Sequence, residues 1–181
     1  MVLPVVKYGD KVLREKAREV GVITDELRQL AQDMLDTMHK AKGVGLAAEQ
    51  VGRLERVCVI DIPKGCDDEE DELFNAPIPM PLVMFNPVVV AREGSCREKE
   101  GCLSFPGIGG SITRATQVTC QYVDAEGRAQ MITARGYLAR AIQHETDHLD
   151  GVLYVDHMTA IERLSFSGKL KKLAKANGGV R

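Results

Sequence analysis

Two of the four histidines in this chain, His144 and His148, stand four residues apart, and a glutamate directly follows the first: His144-Glu145-Thr146-Asp147-His148. Residues four apart stack on one face of a helix, so both imidazoles can reach a single ion. Glu145 then lies beside the first ligand, placed to take a proton from a water that the ion activates. A hydrolytic metal site keeps one position open and needs a third protein ligand. Three positions come into question. One peptidase pattern puts a third histidine three residues beyond Gly151, but that residue is Tyr154, which excludes the class. Glu162 is a downstream carboxylate, yet with Thr159 it also completes a capping box. Cys102 stands in Glu100-Gly101-Cys102-Leu103-Ser104-Phe105-Pro106-Gly107. Read alone, such a thiol is a small buried side chain. A zincin-like metallopeptidase with Glu or His as third ligand is the rival enzyme. A closed structural metal site in a non-catalytic, RNA- or ribosome-associated module is the rival from another class.

The elements around these residues follow from periodicity. Leu27, Leu30, Ala31, Met34, Leu35 and Met38 predict an amphipathic helix over residues 24–42, with Thr24 as N-cap and Gly43 as its stop. A Gly-rich segment follows at 43–52, then a strand over 56–61. Residues 64–81 carry an acidic run, and four prolines fall between Pro63 and Pro81, which predicts a solvated surface loop. Two short strands, 82–85 and 88–91, are expected on either side of Asn86-Pro87. Residues 116–123 and 128–134 flank Asp124-Ala125-Glu126-Gly127, a hairpin signal. The helix that carries the histidines should span 136–150 and stop at Gly151, and a basic C-terminal helix should occupy 159–176. The resulting expectation is one α+β domain over residues 1–181. Mainly antiparallel sheets would pack around a central helix carrying H-E-x-x-H, with an N-terminal amphipathic helix and a C-terminal helix.

Composition narrows the setting. The chain has 44% hydrophobic and 28% charged residues, an ordinary globular mix, and its formal net charge is -2. That balance supplies no general field for DNA or RNA. No apolar run approaches the roughly 18–20 residues that cross a bilayer, and the first residues lack the pattern of a signal peptide. A cytoplasmic protein without membrane contact is expected. The five cysteines are odd in number and form no Cys-x-x-Cys pair, so reduced thiols are expected, with Cys58 and Cys120 in core strands.

Three segments together resemble the peptide deformylases: Gly43-Val-Gly45-Leu-Ala-Ala-Glu-Gln50, Glu100-Gly-Cys102-Leu-Ser104 and Gln143-His-Glu-Thr-Asp-His-Leu-Asp150. The likeness extends to the opening Pro4-Val-Val-Lys-Tyr-Gly-Asp10 and so covers nearly the whole chain. It implies hydrolytic removal of the formyl group from the N-terminal formylmethionine of nascent polypeptides. By that resemblance Cys102, His144 and His148 are the metal ligands, and Glu145 is general base and acid. The Gln50 side-chain amide and the Leu103 backbone N–H are the oxyanion donors. Val44, Gly45 and Gly101 contact the peptide. The resemblance further implies one divalent ion, ferrous iron in the cell, with zinc, nickel or cobalt able to substitute. The partners are formylmethionyl nascent chains, and the basic helix with Lys169, Lys171, Lys172 and Lys175 is expected to touch ribosomal RNA. Glu100 and Arg114 are candidates for an ion pair beside the Cys102 turn. Arg140, one helical turn before His144, adds charge to the pocket wall, and Phe105 should narrow the pocket rim where the family commonly has a smaller aliphatic residue.

Overall fold

The computed structural model describes residues 1–178. Helices α1 (Asp25–Lys40) and α3 (Gly136–Leu149) cover opposite faces of one antiparallel sheet. The sheet runs β1 (Gly45–Ala47), β2 (Val57–Ile60), β3 (Leu82–Glu93), β6 (Gln117–Val123), β7 (Ala129–Arg135), in that spatial order. Strand β2 shows how the layers are built. Its four residues are all buried, with Val57 and Val59 facing α1 and Cys58 and Ile60 facing α3. Alternation along a strand sends neighbouring side chains to opposite faces, so a strand covered on both sides reads as a continuous apolar run.

Helix α1 starts as expected: Thr24 accepts from the Leu27 N–H. Its apolar stripe, including the fully buried Met34 and Met38, packs on the sheet. The helix stops before Gly43. Ala41 caps it and Lys42 takes the left-handed conformation, φ 57°. A second, two-stranded sheet pairs β4 (Cys96–Gly101) with β5 (Gly109–Arg114), register Gly101 to Gly109. This hairpin covers a third apolar cluster that includes Leu13, Phe105, Ile112, Tyr154 and, from α4 (Ala160–Ala176), Leu170. Thr159 and Glu162 form the capping box of α4, and Glu162 pairs with Arg97 rather than with any histidine.

Two expectations are corrected. Residues 82–93 form one strand, not two. Asn86 sits at φ 50° in an irregularity, and its side chain bonds the Val20 backbone at both N–H and C=O, 2.9 and 2.7 Å. Those bonds occupy a side chain that otherwise reads as turn-forming. The 64–81 segment is not only loop. It holds α2 (Glu69–Asn75), capped by Asp68, and it is tied to the start of α3. Asp67 accepts from the Tyr137 N–H at 2.6 Å, and Asn75 makes two 3.0 Å bonds to the Arg135 backbone. Arg135 lies over the Phe74 ring at 4.1 Å. Arg135, the N-cap residue of α3, offers no capping side chain of its own, so the 64–81 segment, an acidic insert between β2 and β3, supplies the missing acceptor. No helix of the described residues is long and apolar enough to cross a membrane.

Candidate functional site

Two separate elements converge on one point. Cys102 follows β4, and His144 and His148 project from one face of α3. One ligand atom from each lies within 4.8 Å of the others. The Cys102 sulfur is 3.3 Å from Nε2 of His148. Position is enforced from several sides. Arg56, buried, donates to the Leu149 carbonyl at 3.2 Å and to Asp150 at 2.7 Å, which anchors the end of α3 to the sheet. The N-terminal segment stitches the two loops of the site together, with the Val6 N–H on the Gln50 carbonyl at 2.7 Å and the Tyr8 N–H on the Ser104 carbonyl at 2.9 Å. Gln50 itself is buried. Its carbonyl oxygen accepts from the Ala47 N–H at 2.9 Å, and its amide nitrogen points at the Cys102 sulfur and the Ser104 hydroxyl, 3.3 and 3.1 Å away.

Around the ligand trio runs a buried charged network. Glu100 takes two bonds from Arg114, at 2.8 and 3.0 Å, and one from Nδ1 of His144, at 3.0 Å. Arg114 also reaches Asp147, which in turn meets His157 at 2.8 Å. Burial pushes the Glu100 carboxyl up, but the bonds from His144 and Arg114 outweigh it and hold it at about 2. Burial also works against charge on both imidazoles. For His144, hydrogen bonds to Cys102 and Glu100 win and raise it, whereas His148 is lowered, by burial and then by the charge of His144. A thiol and two imidazoles form a donor set suited to zinc, nickel, cobalt or ferrous iron. Oε2 of Glu145 is buried with no partner among the described residues, and burial pushes that carboxyl up to about 7. The residues therefore fit an ion with a proton-accepting carboxyl at its side.

A cavity of about 710 Å³ opens onto this cluster, lined among others by Val44, Gly45, Gln50, Gly101, Cys102 and Leu103. The chain matches the polypeptide deformylase family over residues 2–164. It is 42% identical over 174 residues to the peptide deformylase of Endomicrobium trichonymphae, covering 96% of each chain. The chain belongs to the polypeptide deformylase family. It is accordingly a hydrolytic enzyme. Its fold overlays the crystal structure of peptide deformylase from Thermus thermophilus with a TM-score of 0.84 at 39% identity, covering 97% of this chain and 99% of that one. It overlays the Ehrlichia chaffeensis enzyme in complex with actinonin at 0.84 and 36% identity, covering 94% and 96%. The mixed α and β architecture with antiparallel sheets and four helices is the deformylase fold.

Within this deformylase framework the expected site residues all reach the same cavity or its floor. His148 lies behind the wall, 1% exposed, with Nδ1 buried and unpartnered. Arg140 lines the cavity with its guanidinium 5.0 Å from the Tyr137 ring centroid. Phe105 lines it too, but it is 1% exposed and stacked on Tyr8, so it is a core residue first and a rim residue second. Glu100 and Arg114 form a buried pair that reaches the ligand His144. Sequence reasoning misses Glu49, whose two carboxyl oxygens are buried without partners and whose carboxyl burial pushes up to about 8. It also misses Lys7, whose Nζ donates to the Leu103 carbonyl at 2.7 Å. The only signal for either is membership in the stretches that resemble the family.

Proposed function

We propose that the chain hydrolyses the formamide of N-terminal formylmethionine on newly made polypeptides, releasing formate and a free amino terminus. The observation that carries this reading is the meeting of Cys102, His144 and His148 beside the buried Glu145 carboxyl, at the foot of one open cavity. Those three residues would hold one divalent ion, ferrous iron in the cell, with zinc, nickel or cobalt as substitutes. When bound, the ion supplies Lewis acidity toward the formyl oxygen and toward water. In this reading α3 is the central helix and residues 144–148 are its ligand-bearing H-E-x-x-H stretch.

The chain's own groups do the rest. Glu145 accepts the proton of the attacking water and returns it to the amine as the C–N bond breaks. A carboxyl raised by burial into the neutral range suits both halves of that transfer. The Gln50 amide is oriented by the Ala47 N–H on its oxygen and by the Ser104 hydroxyl on its nitrogen, and the N–H that faces the Cys102 sulfur would turn to the developing oxyanion. The Leu103 N–H is the second donor, and the Lys7 bond to the Leu103 carbonyl holds the next peptide unit, which follows that donor along the chain. Losing one such donor costs on the order of 10²–10³ in rate. Val44, Gly45 and Gly101 line the cavity from two facing segments, where a substrate backbone pairs as an added strand. The reaction belongs in the cytoplasm, where nascent chains emerge, and the lysines of α4 are offered as the ribosome-facing surface.

Formate release from a formyl-Met peptide, run anaerobically with metal quantified in the same sample, tests the reading. One ion per chain and stoichiometric formate are expected, and Glu145→Gln should keep the ion while losing nearly all turnover. Fully loaded protein that releases no formate would refute it.

A further inference from the structure

The cavity wall carries charge that the chemistry above does not use. Among the described residues four cations line it: Lys7, Lys42, Lys99 and Arg140. Two carboxyls line it as well, but Glu100 is consumed by Arg114 and His144, and Glu145 is buried beside the ligands. Lys7 is bonded to the Leu103 carbonyl and Arg140 lies beside the Tyr137 ring. Lys42 and Lys99 are exposed and make no ion pair among the described residues. The acidic insert lies beyond Tyr137, and none of its carboxylates lines the cavity.

Lys42 and Lys99 stand on the two facing segments that border the cavity. β1 is the edge strand of the large sheet, and β4 pairs on one side only, with β5. Both edges border the cavity. On the first, Gly45 marks the chemical end, because a Cβ there would overlap the Glu145 carboxyl. On the second, the chemical end is Cys102. Lys42 lies three residues outward from Gly45, and Lys99 three residues outward from Cys102. Lys99 is on β4, where a strand rise of about 3.3 Å per residue starts its stem about 10 Å from the chemistry; Lys42 stands in the left-handed turn between α1 and β1 and lines the same cavity from the facing segment. An extended peptide with its formyl group at the cluster has its second and third residues at that depth.

We infer that Lys42 and Lys99 make this enzyme select its substrates by charge, favouring nascent chains with Asp or Glu at the two positions after formylmethionine. This rests on the function proposed above, and the test separates the two. Three C-terminally amidated peptides are compared by kcat/KM: formyl-Met-Ala-Ala, formyl-Met-Asp-Asp and formyl-Met-Lys-Lys. Exposed ion pairs of this kind discriminate modestly, so the acidic peptide should exceed the basic one by about fivefold to tenfold at low ionic strength, mainly through KM. Salt at about 0.5 M should collapse the gap, because the screening length then falls to a few ångströms. The double variant Lys42→Glu/Lys99→Glu should reverse the order. The wild-type salt series stands by itself if that variant does not fold. Three peptides within twofold of one another, or an acidic preference that survives charge reversal or high salt, overturn the inference. Failure to deformylate even the alanine peptide overturns the functional reading and this one with it.

Discussion

Oε2 of Glu100 lies 3.0 Å from Nδ1 of His144, and the same carboxylate is gripped by Arg114 from the other side. A carboxylate can only accept, so Nδ1 carries the proton and Nε2 is left with its lone pair toward Cys102. The carboxylate thus sets both the tautomer and the ring orientation of a candidate ligand. Glu100→Gln keeps the size but swaps a charge for a dipole, and it should weaken metal retention or activity by about 10–100-fold. Metal content after dialysis, together with formate release, checks this. Unaltered retention and rate would show that the pair is only structural.

The insert makes a second, separable prediction. Asp67 supplies the acceptor that α3 lacks at its own N-cap, on the N–H of Tyr137, a residue that lines the cavity. Asp67→Ala should lower stability by about 1 kcal/mol. In a chain of this size that is a fall in Tm of about 2–4 °C. Asp67→Asn should restore most of it, since the amide oxygen still accepts. Because the loosened turn belongs to the cavity wall, KM should rise more than kcat falls. An alanine variant with wild-type melting would place the cap elsewhere.

Helices α1 and α3 are legible in the sequence because each carries apolar residues at helical spacing on the face that packs on the sheet. The insert and the β4–β5 hairpin are less so, and the reason is physical. In β4 the run Arg97-Glu98-Lys99-Glu100 shows no apolar alternation, because the one buried side chain of that run is a carboxylate satisfied by Arg114 and His144 from distant segments. No local pattern can announce such a partner. Asn86-Pro87 reads as a break for a similar reason, since the side-chain bonds to Val20 that accommodate it span 66 residues. The histidine pair is visible from spacing alone, whereas Cys102 stands out only through the family likeness of its segment. Glu49 is invisible: nothing in Ala48-Glu49-Gln50 distinguishes a carboxyl wholly out of water from one in it.

That carboxyl gives a pH prediction. Burial is the leading cause that raises Glu49 from 4.5 to about 8, with Glu145 and Asp150 adding to it and Arg56 opposing. The folded state therefore holds the proton more tightly than the unfolded chain does. Its stabilising contribution is complete below pH 4.5, declines as pH rises, and is lost once pH passes about 8. The slope in that window is roughly 1.4 kcal/mol per pH unit at most. Glu49→Gln removes the titration, so the variant should gain on the wild type between pH 5 and 8 and run parallel to it above. Denaturant melts at four pH values measure the difference. A constant difference across the series would mean that Glu49 stays ionised in the fold.

The last prediction concerns the backbone opposite the general base. Gly45 is not in a left-handed conformation, so its lack of a side chain is not required by φ. What requires it is space: a Cβ at this position would fall onto Oε1 of Glu145, on the carboxyl that has no protein partner at Oε2. Glu145 projects from a buried helix and cannot retreat far, so Gly45→Ala must displace either the carboxyl or the β1 edge. A shift of about 1 Å at a reacting group costs on the order of 10² in rate. The variant should therefore retain its fold, its ion and a near-normal Tm while kcat falls by about that factor. Gly43→Ala, by contrast, meets only the flexible Leu103 side chain and should lose far less. Equal losses in the two variants would point to the peptide-binding edge as the cause and away from the carboxyl.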